Sequence, residues 1–280
     1  MVSGLATRLA APCLYVVSTS QQVERVASDL AALNPDAQVM VFPHLEILPY
    51  DIIAQGHEVA ASRLTVLEAL IAPPAPAAGD RRRGRLMIVT PVEALTRRLP
   101  PPADLARHRV ELSVGKRYDL EELQSSLAMS GHERVEAVET PGQFAVRGGI
   151  LDLFLLTREQ PVRAEFLGDQ LESLRRFDPL TQRSTGETDR EQVFAASEFL
   201  PGPDRAASGM AAISAELART AAGLDAAGKS LEAEKLRARV EGHLERIAAA
   251  DMAGLEQYLP YFYGDACMLL DSAGRRAGGL

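Results

Sequence analysis

The chain has 280 residues, 46% of them hydrophobic, and carries 30 Lys plus Arg against 38 Asp plus Glu for a net charge of −8. That balance argues against autonomous tight binding to duplex DNA, because such affinity comes largely from neutralising phosphates. No apolar run approaches the ~20 residues of a membrane span and Arg8 interrupts the apolar N-terminus, so neither a membrane helix nor a signal peptide is expected and the chain reads as cytoplasmic.

In chain order, Leu14 to Val17 reads as a short buried strand. Gln21 to Leu33 then places Val23, Val26, Ala27, Leu30 and Leu33 at helical spacing, stopped by Asn34-Pro35. Val39 to Phe42 is a second strand, Ala60 to Ile71 a second helix, Leu86 to Val89 a third strand and Val92 to Leu99 a third helix. Strand and helix in alternation imply a parallel sheet with helices on its faces. The basic stretch Arg81-Arg82-Arg83 with Arg85 follows a Pro/Ala-rich run and reads as a solvated loop.

Pro100-Pro101-Pro102 marks a boundary, after which the grammar changes. Val110 to Val114 is a strand, and Leu120 to Ser130 a helix stopped by Gly131. Short strands follow, including Glu172 to Phe177 and Gln192 to Phe199, so this region is expected to be α+β. Its centre is a hairpin, in which two strand-like runs flank the polar segment Thr157 to Pro161 and Gly148-Gly149 opens the first run. In the second run Val162, Ala164 and Phe166 point one way, and Arg163, Glu165 and Leu167 the other. A face mixing arginine, glutamate and an outward leucine suits protein recognition better than a core. Two long helices, Ala206 to Leu224 and Ser230 to Ala250, fill the last third, and the Gly/Arg-rich end at Ser272 to Leu280 is expected to fray. The expected organisation is therefore residues 1–105 as a parallel α/β domain, 106–200 as an α+β domain and 201–280 as a helical segment.

Catalytic patterns are missing. A phosphate cradle needs G-x-x-x-x-G-K-[ST], and Gly4 and Gly115-Lys116 lack that spacing. His44, His57, His108, His132 and His243 show no metal-ligand spacing and are expected to be solvated or capping. Glu121-Glu122 lies in the first turn of a helix, where it complements the dipole. Cys13 and Cys267 are expected to be reduced thiols. No catalytic residue, cofactor or metal is therefore expected.

Several strings carry a family resemblance. They are Arg147-Gly148-Gly149-Ile150-Leu151-Asp152-Leu153-Phe154, then Arg163 through Glu172, Phe177-Asp178-Pro179 and Thr181-Gln182-Arg183. Upstream stand Phe42-Pro43, Leu48-Pro49-Tyr50-Asp51, Ser62-Arg63-Leu64 and Val89-Thr90-Pro91. These resemble the UvrB-homology module shared by the excision-repair protein UvrB and the bacterial transcription-repair coupling factor (Mfd). Glu256 to Tyr263, reading EQYLPYFY, is similar to Mfd and unlike UvrB.

The resemblance implies a degenerate, helicase-like first domain that has lost ATP hydrolysis, an inserted α+β UvrA-binding domain, and a helical remainder. It implies that Arg147 and Arg163 contact UvrA, with Glu165 and Leu167 on the same face, and that truncating either arginine weakens binding with little effect on stability. Leu167 departs from the family's usual aromatic. UvrA is the implied partner, while RNA polymerase and DNA would be engaged through other parts of the parent protein, whose function is transcription-coupled excision repair. The alternative is a fragment of a UvrB-type excinuclease subunit. Without the resemblance, the residues favour reading the two arginines as solvated strand residues paired with a local glutamate such as Glu165.

Overall fold

In a computed structural model, the described residues are 12–45, 53–71, 86–249, 252, 255–264 and 269. The Leu48-Pro49-Tyr50-Asp51 string, Arg81 to Arg83 with Arg85, Gly4, Cys267 and the Ser272 to Leu280 end lie outside them. The protein is a mixed α/β chain. Its described residues divide into two compact units, one made of residues up to 97 with 102–197 and Leu269, the other of 98–101 with 198–264.

The first unit begins with a three-stranded parallel sheet, β1 (Cys13–Val17), β2 (Gln38–Val41) and β3 (Leu86–Pro91), in the order β1-β3-β2. β3 is central and buried along its whole length, as a parallel strand covered on both faces should be. The helix Val23–Leu33 crosses from β1 toward β2 and buries Val23, Ala27 and Leu30 against Val17, Met87 and Val89. Asn34 ends it with its side-chain amide donating to the Leu30 carbonyl at 2.9 Å. The second helix is longer than its apolar pattern suggests, running Ile53–Ile71.

Three strings quoted for the resemblance meet here. The Arg63 guanidinium lies 4.1 Å over the Phe42 ring and donates to the Pro43 carbonyl at 2.9 Å. The Thr90 hydroxyl donates to the Phe42 carbonyl at 2.8 Å. Arg63 and Thr90 are fully buried, so these motif residues hold the fold together.

Beyond β3, the helix Val92–Leu95 is shorter than the expected Val92 to Leu99. Thr96 turns its hydroxyl back to the Glu93 carbonyl, and the proline run from Pro100 disfavours helical backbone just before it. A second helix, Pro102–Ala106, follows that run.

Residues 110–193 form β4 (Val110–Ser113), the helix Leu120–Met129, and β5 (Glu133–Arg134), β6 (Gln143–Arg147), β7 (Ile150–Leu153), β8 (Val162–Leu167), β9 (Gln170–Phe177), β10 (Ser184–Glu187) and β11 (Arg190–Val193). Strands β5 to β10 make one sheet in the order β10-β9-β8-β7-β6-β5, antiparallel except where β5 meets β6. Strands β4 and β11 pair separately. The strand expected from Gln192 to Phe199 ends at Val193, where its partner β4 starts at Val110; Phe194, Ala195 and Phe199 are buried without strand pairing.

Asp119 caps the helix Leu120–Met129 by accepting from the backbone N–H groups of Glu121 and Glu122, and Gly131 follows the helix at φ 87. Leu123 and Leu127 of that helix pack on Phe144, Leu151, Leu153, Val162, Ala164 and Leu174, one face of the sheet. His132 corrects the expectation of solvated histidines: it is 4% exposed, its Nδ1 lies 3.2 Å from the Ser130 hydroxyl, and burial pushes its pKa down to about 4.

The second unit is a helical hairpin, Pro203–Ala226 and Ser230–Ala248, turned at Gly228. Phe199, Ile213, Val240, Ile247, Leu259, Phe262 and Tyr263 form its core, with Phe199 and Phe262 edge to face at 4.9 Å. The Glu256 to Tyr263 string therefore supplies packing: Leu259, Phe262 and Tyr263 are buried, and the Tyr258 hydroxyl lies 2.8 Å from His243 Nδ1.

Candidate functional site

The face of the six-stranded sheet opposite the Leu120–Met129 helix carries the residues singled out from sequence. Register pairs Arg147 with Ile150, Asp152 with Arg163, Arg163 with Arg175, and Glu165 with both Ile150 and Ser173. Alternation puts Arg147, Asp152, Arg163, Glu165 and Arg175 on this side, while Leu151, Leu153, Val162 and Ala164 enter the core.

Gly148-Gly149 joins β6 to β7 as a two-residue turn. Gly148 takes φ 60, and a Cβ on Gly149 would lie 2.7 Å from the Phe166 carbonyl oxygen. Phe166 N donates to Gly149 O at 2.7 Å, next to the register shift between Glu165 and Phe166. The bulge turns the end of β8, and Leu167 emerges 74% exposed.

Asp152 is the hub. It is 1% exposed, and its Oδ1 accepts from Arg163 Nε at 2.6 Å while its Oδ2 accepts from Arg163 Nη2 at 2.9 Å and Arg147 Nη2 at 2.8 Å. Arg163 therefore meets the carboxylate as a fork, and its guanidinium also lies 4.6 Å over the Phe177 ring. The hydrogen bond to Asp152 raises the Arg163 pKa further, against the opposing effect of partial burial. The arginine partner is thus Asp152 and not Glu165, which instead accepts from the Ser173 hydroxyl at 2.8 Å and Arg175 Nη2 at 3.2 Å. The two arginines differ in exposure: the Arg147 side chain is 54% exposed and that of Arg163 21%. Arg163 is half-sunk in the sheet, which argues against its being stability-neutral.

Asp152, Ser173, Arg175 and Gln182 of this face were not picked out from sequence. Asp152 had a legible signal, because a carboxylate in the apolar strand Ile150–Leu153 must find a cation once buried. Gln182, whose Oε1 accepts from Arg163 Nη2 at 2.9 Å, had none beyond its place in a motif string.

A second charged cluster has a structural task. Arg158, in the β7–β8 connection, forks onto Glu68 of the Ile53–Ile71 helix at 3.0 and 3.2 Å and donates to Glu191 at 2.9 Å. Arg176 reaches the other Glu191 oxygen at 3.3 Å. Burial lowers the Arg158 pKa, but the hydrogen bonds and charges of Glu68 and Glu191 outweigh it and leave a net raise. Among the described residues, no group of three or more His, Cys, Asp or Glu is arranged to hold a metal ion, and no helix is long and apolar enough to cross a membrane.

Residues 110–199, which carry the six-stranded sheet and its arginine face, match the UvrB interaction domain family. Around that domain the chain is similar, over 96% of its length, to the transcription-repair-coupling factor of Bacillus subtilis strain 168, with 31% identity across 274 residues. The Escherichia coli K12 transcription-repair-coupling factor is 30% identical over 199 residues, 71% of this chain. The UvrABC system protein B of Thermobifida fusca is 36% identical over 169 residues, 60% of the chain. The chain spans 22%, 16% and 24% of these relatives, respectively.

Proposed function

We propose that the β6–β9 face docks UvrA, and that the chain is the UvrA-recruiting module of a transcription-repair coupling factor acting in transcription-coupled nucleotide excision repair. The observation that carries this reading is the gathering of Arg147, Arg163, Glu165 and Leu167 on one face of the sheet, around a buried carboxylate that fixes the arginines. Fixed arginine forks suit protein recognition, because little side-chain entropy remains to be lost on binding.

In this reading residues 1–105 are a degenerate helicase-like domain, 106–200 the docking domain and 201–280 a helical remainder. No step of catalysis and no cofactor is assigned to these residues. RNA polymerase and DNA are engaged by other parts of a longer, cytoplasmic parent protein. The alternative, part of a UvrB-type excinuclease subunit, draws on the similarity to UvrABC system protein B. The transcription-repair reading is preferred because that similarity spans 60% of the chain against 96% for the coupling factor.

Calorimetric titration of the cognate UvrA into the wild type and Arg147→Ala tests the proposal. A hot-spot arginine typically costs ~2 kcal/mol or more on truncation, so binding should weaken by more than about tenfold. Equal affinity for the two proteins would remove Arg147 from the interface.

A further inference from the structure

The connection between β9 and β10 is bound more tightly than an exposed turn requires. Asp178 Oδ1 accepts from Leu180 N at 3.1 Å, Thr181 N at 2.7 Å and the Thr181 hydroxyl at 2.9 Å. Gln182 N donates to the Asp178 carbonyl at 2.8 Å, and Asp178 N donates to the Arg183 carbonyl at 3.0 Å. Gln182 sits at φ 59, a left-handed conformation that no other non-glycine among the described residues adopts. Its side chain donates to the Pro179 carbonyl at 2.8 Å and accepts from Arg163 at 2.9 Å. Such backbone strain persists only where the surroundings over-determine it, and it concentrates at recognition sites. What this frame displays is Leu180, 92% exposed, two residues from the glutamine that touches Arg163.

We propose that the Asp178–Arg183 loop is the second half of the docking face, with Leu180 an apolar anchor for a partner surface rich in carboxylates. This rests on the reading of the β6–β9 face as the UvrA dock, and it adds the chemistry of the surface that UvrA presents there. Charge complementarity decides the sign. The face sets three arginines, Arg147, Arg163 and Arg175, against two carboxylates, Asp152 and Glu165, and Asp152 is buried beneath two of the arginines, so its balance is positive. Two exposed leucines, Leu167 and Leu180, flank that charge. A phosphate backbone would answer the arginines and leave both leucines in water, whereas a protein surface with carboxylates around an apolar depression answers both.

The test is calorimetric titration of the cognate UvrA into wild type, Leu180→Ser, Leu180→Asp and Leu180→Lys, with a thermal melt of each. Loss of the apolar contact should weaken the serine variant about fivefold, and added like charge should weaken the aspartate variant more than about tenfold. The lysine variant should bind at least as well as the serine variant, and the melts should coincide because Leu180 is exposed. Gln182→Gly keeps the left-handed backbone and removes the tie to Arg163; it should weaken binding without lowering the melting temperature. Wild-type affinity in both the serine and aspartate variants overturns the proposal, as does an aspartate variant that binds better than the lysine variant. Tight binding of duplex DNA to the wild type in the absence of UvrA, lost in Arg147→Ala, would assign the face to nucleic acid instead. A wild type that fails to bind UvrA refutes the docking reading itself and this inference with it.

Discussion

Replacing Arg163 with alanine removes two of the three arginine hydrogen bonds that Asp152 accepts, leaving only Arg147 Nη2. Asp152 is 1% exposed, so its charge cannot be recovered by water without opening the sheet. Breaking a buried pair from one side costs about 3–5 kcal/mol; the remaining Arg147 contact and the 21% exposure of the Arg163 side chain bring the expected loss to about 2–3 kcal/mol. Loss of the guanidinium from the Phe177 ring adds to it. Arg147→Ala is the contrast. Its side chain is 54% exposed and Arg163 still holds Asp152 at two points, so the loss should be no more than about 1 kcal/mol. Urea unfolding at pH 7 of the two variants, with Asp152→Ala and the Arg163→Ala/Asp152→Ala pair, measures this. The double variant should lose less than the sum of the singles, because removing both charges leaves neither unpaired. Arg147→Ala as destabilising as Arg163→Ala, or an additive double variant, would refute the hub.

The remaining expectations concern the turn and the buried histidine. Gly149→Ala brings a Cβ to 2.7 Å from the Phe166 carbonyl and should cost about 1–3 kcal/mol. Gly148→Ala, which meets open space and only the strain of φ 60, should cost about 1–2 kcal/mol and be the milder of the two; thermal melts showing the reverse order would refute the close-approach argument. His132 stays neutral in the native state down to about pH 4, whereas the unfolded chain takes up its proton near pH 6.5. Its contribution is therefore complete above pH 6.5 and declines as the pH falls toward 4, by about 2 kcal/mol at pH 5. Denaturation of wild type and His132→Gln from pH 7 to 5 should show that extra slope in the wild type alone, and parallel profiles would contradict it.

The amino-acid sequence by itself determined the local elements. Alternation in Val162 to Leu167 separated core from surface faces correctly, Val23, Ala27 and Leu30 announced the buried side of their helix, and the Gly148-Gly149 pair marked a close backbone approach, although the tight turn it makes between β6 and β7 was not read. These are readable because period and turn chemistry act over a few residues. Strand ends and side-chain partners were not. Val193 ends β11 because β4 begins at Val110, 83 residues away in the chain, and nothing near Val193 records that. Asp152 stands among apolar neighbours and offers no hint of which arginines reach it until β6, β7 and β8 lie side by side. His132 looked like any polar residue after a helix, yet packing buries it. The Gln182–Arg163 bond joins a loop to a strand 19 residues earlier, and only the register of β8 on β9 brings them within reach. Tertiary structure decided these because the desolvation that forces a buried charge to find a partner is set by what packs around it, not by its neighbours in sequence.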